Sequence, residues 1–365
     1  MSGYKALCAA VASKDANRLS EAISRFPDAV EHWKPIMDAA FLGQPAMITL
    51  LLASGADPNV VARTAAKHTP IIRILERHKT IPRHAGHYAS LKTLLATGAD
   101  PNLVGGPHGL PPLGYAAMSG SQRFVDLLTE AGAKPGLHAS AMLYDITRVR
   151  SGILVEGPEC PDNRGRTLLH SFAFSGMWRA GIDRLEKACA TLDVLLAAGA
   201  DINATQEIKD GSEVFMATPL WRALGWQENE IVGRRLLLAG ADPNPAVFAV
   251  TFSGKEALCE LLFEFGADFN QRFHGRTVLM DLLHSKRPRC IRWLLEHGAD
   301  PNAVDEDGLT ALHYAARQGV KADYLKLLIQ YGADPHQLDF QGNTPLRLAR
   351  AKKRRKAAEY LASLA

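Results

Sequence analysis

Apolar residues along the chain recur at spacings of three and four, which is the period of an amphipathic helix. Several of these segments end on a Leu-Leu pair, as at 124–128 and 291–295. A glycine follows within a few residues, and glycine can take the left-handed backbone conformation that ends a helix. The pattern therefore predicts a series of short helices, each ended by a glycine.

A pentapeptide, Gly-Ala-Asp-Pro-Asn or a variant of it, follows most of these helices. Its first residues are Gly55, Gly98, Gly132, Gly199, Gly240, Gly266, Gly298 and Gly332. Three of the intervals between successive glycines measure 34, 32 and 34 residues, and the others fit insertions or losses within the same period. Because proline prevents a helix from resuming, each pentapeptide separates two helices. Self-similarity at this period predicts a stacked repeat architecture.

A second signature opens the next helix with threonine, as in Thr310-Ala311-Leu312-His313 and in the Thr-Pro pairs at 218–219 and 344–345. Threonine is a favoured N-cap, and proline is tolerated at the first helical position. Turn segments such as 305–308 precede it and predict tight hairpins. Each unit is then turn, helix, loop, helix, and it must stack on its neighbours to bury its apolar face.

These signatures resemble the ankyrin-repeat family, whose pattern Thr-Pro-Leu-His-x-Ala followed by Leu-Leu-x-x-Gly-Ala-Asp-x-Asn is matched best between 303 and 336. The resemblance covers nearly the whole chain. It implies an all-α ankyrin-repeat solenoid of about nine or ten helix-pair units with hairpin turns, interrupted by insertions. The pattern is weakest at 60–90, at 137–161 and between Gly240 and Gly266, where we expect an insertion, a degenerate unit and a lost hairpin respectively.

The sequence therefore divides into five predicted segments. They are an N-terminal helical cap at 1–30, ankyrin repeats at 31–136 with a basic insertion near 60–90, an insertion or degenerate repeat at 137–161, ankyrin repeats at 162–345, and C-terminal capping helices at 346–365. Terminal units need polar outer faces because nothing stacks on them.

Charge and cysteine content narrow the class of function. The net charge is +4, but the positive charge is concentrated at 63–92 and 347–356, so no continuous basic stripe favours nucleic acid. Five scattered cysteines fit reduced thiols, and we find no export signal or membrane span. We expect a cytoplasmic protein that is a monomer when unbound and binds neither nucleic acid nor membrane.

Candidate chemical groups have structural explanations at this stage. His170 and His313 occupy the histidine position of the helix-opening signature, where the resemblance implies a hydrogen bond between repeats. His78, His84 and His87 could form a metal site, but a solvated basic insertion explains them better. An enzyme hidden in 137–165 would have to use the acids and the cysteine found there, which are Asp145, Glu156, Glu159, Cys160 and Asp162. We expect no catalytic centre, no metal and no cofactor.

The surface that the fold presents is the remaining candidate. Hairpin tips and inner helices line the concave side of an ankyrin array, and the resemblance makes that side the partner-binding face. On the family pattern it carries His108, Met118, Arg164, Arg166, Phe174, Trp226, Phe273, His274, Arg276, Glu306, Asp307, Arg317 and Phe340. Aromatic and arginine side chains are common binding anchors.

We therefore expect a protein–protein interaction module with a protein partner. The alternatives are a stoichiometric inhibitor or immunity-type protein that blocks one enzyme or toxin, and an enzyme with its site at 137–165. The acidic remainder of the chain favours a partner with a basic or mixed face.

Overall fold

The computed structural model describes residues 3–76, 85–210, 213–287 and 289–364, which form two compact units, an N-terminal unit (1–201) and a C-terminal unit (202–365). Over these described ranges, no helix is both long and apolar enough to cross a bilayer. His78 and His84 lie outside the described residues, so that part of the metal hypothesis is not tested.

Helices arranged in antiparallel pairs make up the N-terminal unit. They are α1 (Gly3–Ser13), α2 (Ala16–Arg25), α3 (Trp33–Leu42), α4 (Pro45–Ala53), α5 (Pro70–Leu75), α6 (Ala85–Ala96), α7 (Pro112–Ser119), α8 (Gln122–Glu130), α9 (Leu137–Leu143), α10 (Ile146–Glu156), α11 (Leu168–Ala173) and α12 (Ile182–Ala197), with 3-10 turns at Pro27–Glu31 and Met177–Ala180. The first helices of the pairs pack against one another in the order α1, α3, α5, α7, α9, α11. The hydrophobic core lies between this row of first helices and the second helices of the pairs.

The C-terminal unit repeats this arrangement and adds two short hairpins. Its elements are β1 (Gln206–Asp210), β2 (Glu213–Ala217), α13 (Pro219–Trp221) continued by a π-helix (Arg222–Trp226), α14 (Glu230–Leu238), a 3-10 turn (Asn244–Ala246), α15 (Val247–Ser253), α16 (Glu256–Glu264), β3 (Arg272–Phe273), β4 (Arg276–Thr277), α17 (Val278–His284), α18 (Ile291–Glu296), α19 (Ala311–Gln318), α20 (Ala322–Gln330), α21 (Pro345–Ala351) and α22 (Arg355–Ala362). Antiparallel pairing joins β1 to β2 and β3 to β4. The π-helix, α15, α17, α19 and α21 pack in one row.

The predicted helix signals act as expected. The side chain of Thr310 accepts the backbone N–H of His313, and the same cap is present at Thr69, Thr167, Thr218, Thr277 and Thr344. The glycines that begin the pentapeptides have φ between +78° and +100°, where a Cβ would be strained. Local sequence therefore determines where these helices begin and end.

The irregular intervals also take definite structures. Residues 137–156 form the pair α9 and α10, and α9 packs between α7 and α11. Between Gly240 and Gly266 the 3-10 turn at Asn244–Ala246 leads directly into α15, with no hairpin before it. The helix α5 begins at Pro70 with Thr69 as its N-cap, and α6 follows from 85 onwards.

Candidate functional site

Asparagine side chains hold successive pentapeptides together in the C-terminal unit. The Nδ2 of Asn302 donates to the carbonyl of Gly332 at 2.7 Å, and its Oδ1 accepts the backbone N–H of Asp334 at 2.9 Å. Asn203, Asn244 and Asn270 likewise accept the N–H of the next aspartate, at 2.8–2.9 Å. We name this series the asparagine ladder. It fixes the spacing of the loops before any ligand binds.

The N-terminal unit has the same kind of ladder, but a glutamate replaces asparagine in one of its contacts. Asn59 and Asn102 accept from the backbone N–H of Asp100 and Lys134 at 2.6 and 2.7 Å. Position 136, where the pattern would place the next asparagine, is a glycine, and the ladder resumes at Glu159, whose carboxylate oxygen accepts the N–H of Asp201 at 2.7 Å. Residue 159 therefore does what an asparagine does in the neighbouring pairs.

A continuous group of aromatic side chains lies on the side of the C-terminal unit that carries the hairpins and the first helix of each pair. It consists of Phe215, Phe248, Phe252, Phe273 and His274, which we name the aromatic stripe. Phe215 on β2 stacks on Phe273 of the next hairpin with ring centroids 5.8 Å apart, and Phe248 on α15 lies 5.9 and 5.5 Å from these two rings. Phe252 stacks on Phe248 at 4.4 Å. The four phenylalanines are half-buried and His274 is exposed, so the stripe lies at the surface.

The orientation of α15 explains why these rings stay at the surface. Its Val247, Val250 and Thr251 are fully buried, whereas Phe248 and Phe252, one turn apart, lie on the opposite side. Both faces of this short helix are therefore apolar, and only one of them belongs to the core.

Further exposed apolar residues lie on the elements next to the stripe. Val214 and Met216 are 42% and 49% exposed, and because they flank Phe215 in β2 their side chains lie on the opposite face of that strand. Trp226 at the end of the π-helix is 38% exposed. The residue before it, Gly225, approaches α15 so closely that a Cβ there would collide with that of Ala249. The apolar surface thus includes two hairpins and two first helices.

Polar predicted residues continue the surface from this stripe towards α21. Arg276 forms an ion pair with the buried Asp281 at 2.5 Å, and the guanidinium of Arg317 lies 4.8 Å from the ring of Tyr314. The hydroxyl of Tyr314 donates to Asp305 at 2.6 Å; burial, followed by this carboxylate, raises the pKa of Tyr314 to about 12. These contacts hold the hairpin at 305–309 on α19.

The tips of the last two hairpins are exposed. Glu306 and Asp307 are solvent-accessible, and Phe340 is 73% exposed although its backbone N–H donates to the carbonyl of Asp307 at 3.0 Å. A large apolar side chain is thereby presented to solvent on an ordered backbone.

In the N-terminal unit, three of the predicted residues reach the surface. Arg164 is exposed, and His108 and Met118 are half-buried. The ring of His108 packs 5.8 Å from that of Tyr115. This surface has smaller apolar side chains than the aromatic stripe.

The structure corrects two predicted binding residues, Arg166 and Phe174, which are 2% and 1% exposed. Arg166 pairs with Asp162 at 2.5 Å and donates to the carbonyl of His108 at 2.8 Å, so it fastens two neighbouring hairpins. Phe174 packs edge-on against the ring of His108. We predicted both as contact residues from their place in the repeat, but an arginine next to an acid and a phenylalanine on a first helix can equally fill the space between repeats.

The buried histidines are structural. The Nδ1 of His313 accepts the N–H of Thr310 at 3.1 Å, and its Nε2 donates to the carbonyl of Asn343 in the next hairpin at 3.0 Å. This is the predicted hydrogen bond between repeats. His170 makes the same capping box with Thr167. His87 is fully buried on α6, with its Nε2 3.2 Å from the carbonyl of Phe41.

The acids and the cysteine at 137–165 do not form a common centre. Asp145 caps α10, Glu159 belongs to the ladder and Asp162 binds Arg166. Burial, followed by the nearby Glu156 and Glu159, raises the pKa of the Cys160 thiol, which makes it a poorer nucleophile. Among the described residues, no group of three or more metal-binding side chains comes together.

Sequence analysis identified Phe273 and His274 but missed Phe215, Phe248 and Phe252. Two signals were present. Apolar residues at 214–216 occupy a hairpin where polar residues are usual, and 247–252 is apolar on every face of a helix. Both segments lie beside an irregular interval, where the family pattern gave no register.

Stacked helix pairs joined by ordered hairpin loops define a helical repeat protein. A family model that describes three consecutive ankyrin repeats matches the chain twice, at residues 220–305 and 287–365. Residues 220–365 of the chain are thus similar to ankyrin repeats, and ankyrin-repeat proteins are among its relatives. Repeats of this kind generally mediate protein–protein interaction.

Individual relatives are similar over parts of the chain. Ankyrin repeat protein nuc-2 of Neurospora crassa is 29% identical over 220 residues, which are 58% of this chain and 17% of that protein. The ADP-ribosylation factor GTPase-activating protein AGD4 of Arabidopsis thaliana is 41% identical over 71 residues, covering 19% of this chain and 9% of that protein. Ankyrin repeat domain-containing protein SAT10 of Stachybotrys chartarum is 33% identical over 114 residues, or 30% and 6%. The chain thus spans less than a fifth of each of these relatives.

Proposed function

We propose that this chain is a protein-interaction module that binds a partner protein through its hairpin tips and first helices, with the aromatic stripe as the central contact. The observation that carries this proposal is the half-buried ring cluster on ordered backbone. Its burial by a partner would remove apolar area from water. Rings and loops that are already held in place lose little entropy on binding.

In each unit the proposed contact residues are the predicted residues that reach solvent, and in the C-terminal unit the missed residues are added. They are His108, Met118 and Arg164 in the N-terminal unit, and Phe215, Trp226, Phe248, Phe252, Phe273, His274, Arg276, Glu306, Asp307, Arg317 and Phe340 in the C-terminal unit.

We propose, first, that the protein is not an enzyme and has no cofactor. We propose, second, that it is cytoplasmic, is a monomer when unbound, and binds neither nucleic acid nor membranes. The structural roles of Asp145, Glu159 and Asp162 support the first part, because these are three of the four candidate catalytic acids. The catalytic activity in the printed name of the Arabidopsis relative belongs to a protein that this chain covers by 9%.

We also propose that each described helix pair is one repeat, six in the N-terminal unit and five in the C-terminal unit, and that 137–161 is a degenerate repeat. The place of α9 between α7 and α11 and the ladder contact of Glu159 support this assignment. An inhibitor could reach into an enzyme's cleft with an inserted segment, but α9 packs in the row of first helices and so argues against 137–161 as such a segment. A scaffold and a stoichiometric inhibitor then differ in whether the chain binds several partners weakly or one tightly.

The test is affinity capture from the source cell with the wild-type chain and a Trp226→Ala/Phe273→Ala/Phe340→Ala variant. A matched control replaces exposed apolar side chains elsewhere, Leu154→Ala/Val155→Ala/Leu238→Ala, which are 88%, 85% and 72% exposed. We expect the captured proteins to be lost with the first variant and kept with the control. Equal capture by all three chains would contradict the proposed surface, and the stoichiometry of purified complexes would separate scaffold from inhibitor.

A further inference from the structure

One end of the aromatic stripe meets a short run of cations. The guanidinium of Arg287 lies 5.8 Å from the ring centroid of Phe252, the last ring of the stripe. The side chain of Arg289 lies against Gly254, two residues further along the chain from Phe252. We name Lys286, Arg287 and Arg289, all exposed in the segment between α17 and α18, the basic loop.

The cations of the basic loop outnumber the acids near it. None of its three cations forms an ion pair within the part of the chain that the structure describes. Glu256, at the start of α16, lies close enough to act on the same thiol, Cys290, as Arg289 does, whereas Glu228 is paired with Lys255 at 2.6 Å. At the hairpin end, by contrast, Glu306 lies beside Gly275 in the neighbourhood of Arg272 and Arg276, so opposite charges are mixed there.

We propose that the stripe and the basic loop together bind an acidic segment of a partner protein, with bulky apolar residues followed by a cluster of Asp and Glu. The apolar side chains would pack on the rings between the two hairpins and α15, and the acids would lie at the basic loop. This partner chemistry rests on the proposed function. It differs from the basic or mixed partner face that the acidic remainder of the chain favours, because the charge at the binding surface itself governs recognition more strongly than charge elsewhere on the chain.

Stacking within the stripe favours a peptide over a nucleic acid. Phe215, Phe248 and Phe273 are stacked or tilted against one another with centroids 5.5–5.9 Å apart and interplanar angles of 15–32°, and all three are half-buried, so protein atoms already cover part of each ring. A nucleobase needs an open ring face, and a strand needs cations along its whole path. The cations here are confined to one end.

The experiment is a selection from a displayed library of random 16-residue peptides on the full-length chain. Synthetic copies of the recovered peptides are then measured by fluorescence anisotropy. We expect recovered sequences with Phe, Trp or Leu next to several Asp or Glu. Their affinity should fall about tenfold or more for Arg287→Glu/Arg289→Glu, and it should weaken as salt is raised.

Two further variants keep the result interpretable. Arg292→Glu/Lys326→Glu reverses two exposed charges on the second-helix side and should leave the affinity unchanged. Phe248→Ala removes a ring from the stripe and should abolish binding, with circular dichroism confirming the fold. Because the arginines of the basic loop are exposed, their reversal tests the proposal even if Phe248→Ala unfolds.

The outcomes separate this inference from the proposed function. Peptides that require Phe248 but contain no acidic excess, or that ignore the basic loop, would overturn the acidic-segment proposal and leave the interaction surface standing. A selection that recovers nothing sensitive to either variant would contradict both. Tight binding of a mixed-sequence 20-nucleotide RNA that is lost with Arg287→Glu/Arg289→Glu would assign the surface to nucleic acid instead.

Discussion

His313 shows how a single side chain joins two repeats and limits the pH range of the fold. Its Nδ1 accepts an N–H from Thr310 while its Nε2 donates to Asn343, so both contacts require the neutral ring with the proton on Nε2. Burial lowers the pKa of His313 below its ordinary value of 6.5. Protonation of Nδ1 would remove an acceptor from the buried Thr310 amide.

This arrangement predicts a loss of stability in mild acid. Well above pH 6.5 the ring is neutral in the folded and unfolded chains, and it makes no pH-dependent contribution. As the pH falls below that value, the unfolded chain takes up a proton that the folded chain resists, so the free energy of unfolding decreases until the lower folded pKa is passed. Urea unfolding at pH 7.5 and 5.5 should show a smaller decrease for His313→Gln than for the wild-type chain. Identical pH dependence would mean that other groups, such as His138, whose pKa burial also lowers, account for it.

At the scale of elements, neighbouring hairpins contact one another through backbone as well as side chains. Gly308 has φ +78°, and a Cβ there would lie 2.6 Å from a ring carbon of Phe340 and 2.8 Å from its backbone nitrogen. Gly342 occupies the same place in the last hairpin, with φ +73°, and a Cβ added there would have no neighbouring atom within 4 Å. These two glycines differ only in what lies next to them.

We therefore expect Gly308→Ala to be more harmful than Gly342→Ala. The left-handed backbone costs either alanine about 1–2 kcal/mol, and the collision at Gly308 adds about 1–3 kcal/mol because a backbone atom cannot move aside. Chemical denaturation of the two variants measures the difference. If they lose the same free energy of unfolding, the hairpins of 305–309 and 339–343 are not in the described contact.

The sequence was most informative where the repeat pattern was strong. Threonine caps and pentapeptide glycines predicted where helices begin and end, because these are local backbone requirements. Burial at the hairpins was harder to predict, as Arg166 and Phe174 show, since it depends on which neighbour fills the space. The stripe was missed for a related reason: Phe215 and Phe273 are far apart in sequence, and only the stacking of α15 between their hairpins brings them together.

At the scale of the whole molecule, a repeat array depends on contacts between neighbours, so damage should stay near its source. Leu361 on α22 is 3% exposed, and replacing it by a polar residue should destabilise the last pair by about 2–5 kcal/mol. We expect Leu361→Ser to increase hydrogen exchange most in α21 and α22, less in α19 and α20, and least in α15 and α16. The exposed Lys356→Ser on the same helix is the control. A uniform increase through the C-terminal unit would show that it unfolds as one cooperative block.

The asparagine ladder has a consequence for how such a chain can change. Each side chain of the ladder binds main-chain atoms of the following loop, so the contact does not depend on which side chain that loop carries. The N–H of Lys134 is bound in the same way as that of Asp100, and Glu159 can replace asparagine as the acceptor. Duplicating, deleting or exchanging a repeat leaves a compatible main chain on both sides of the join. Such an array can acquire new binding specificities by shuffling its parts while the linkage between them stays the same.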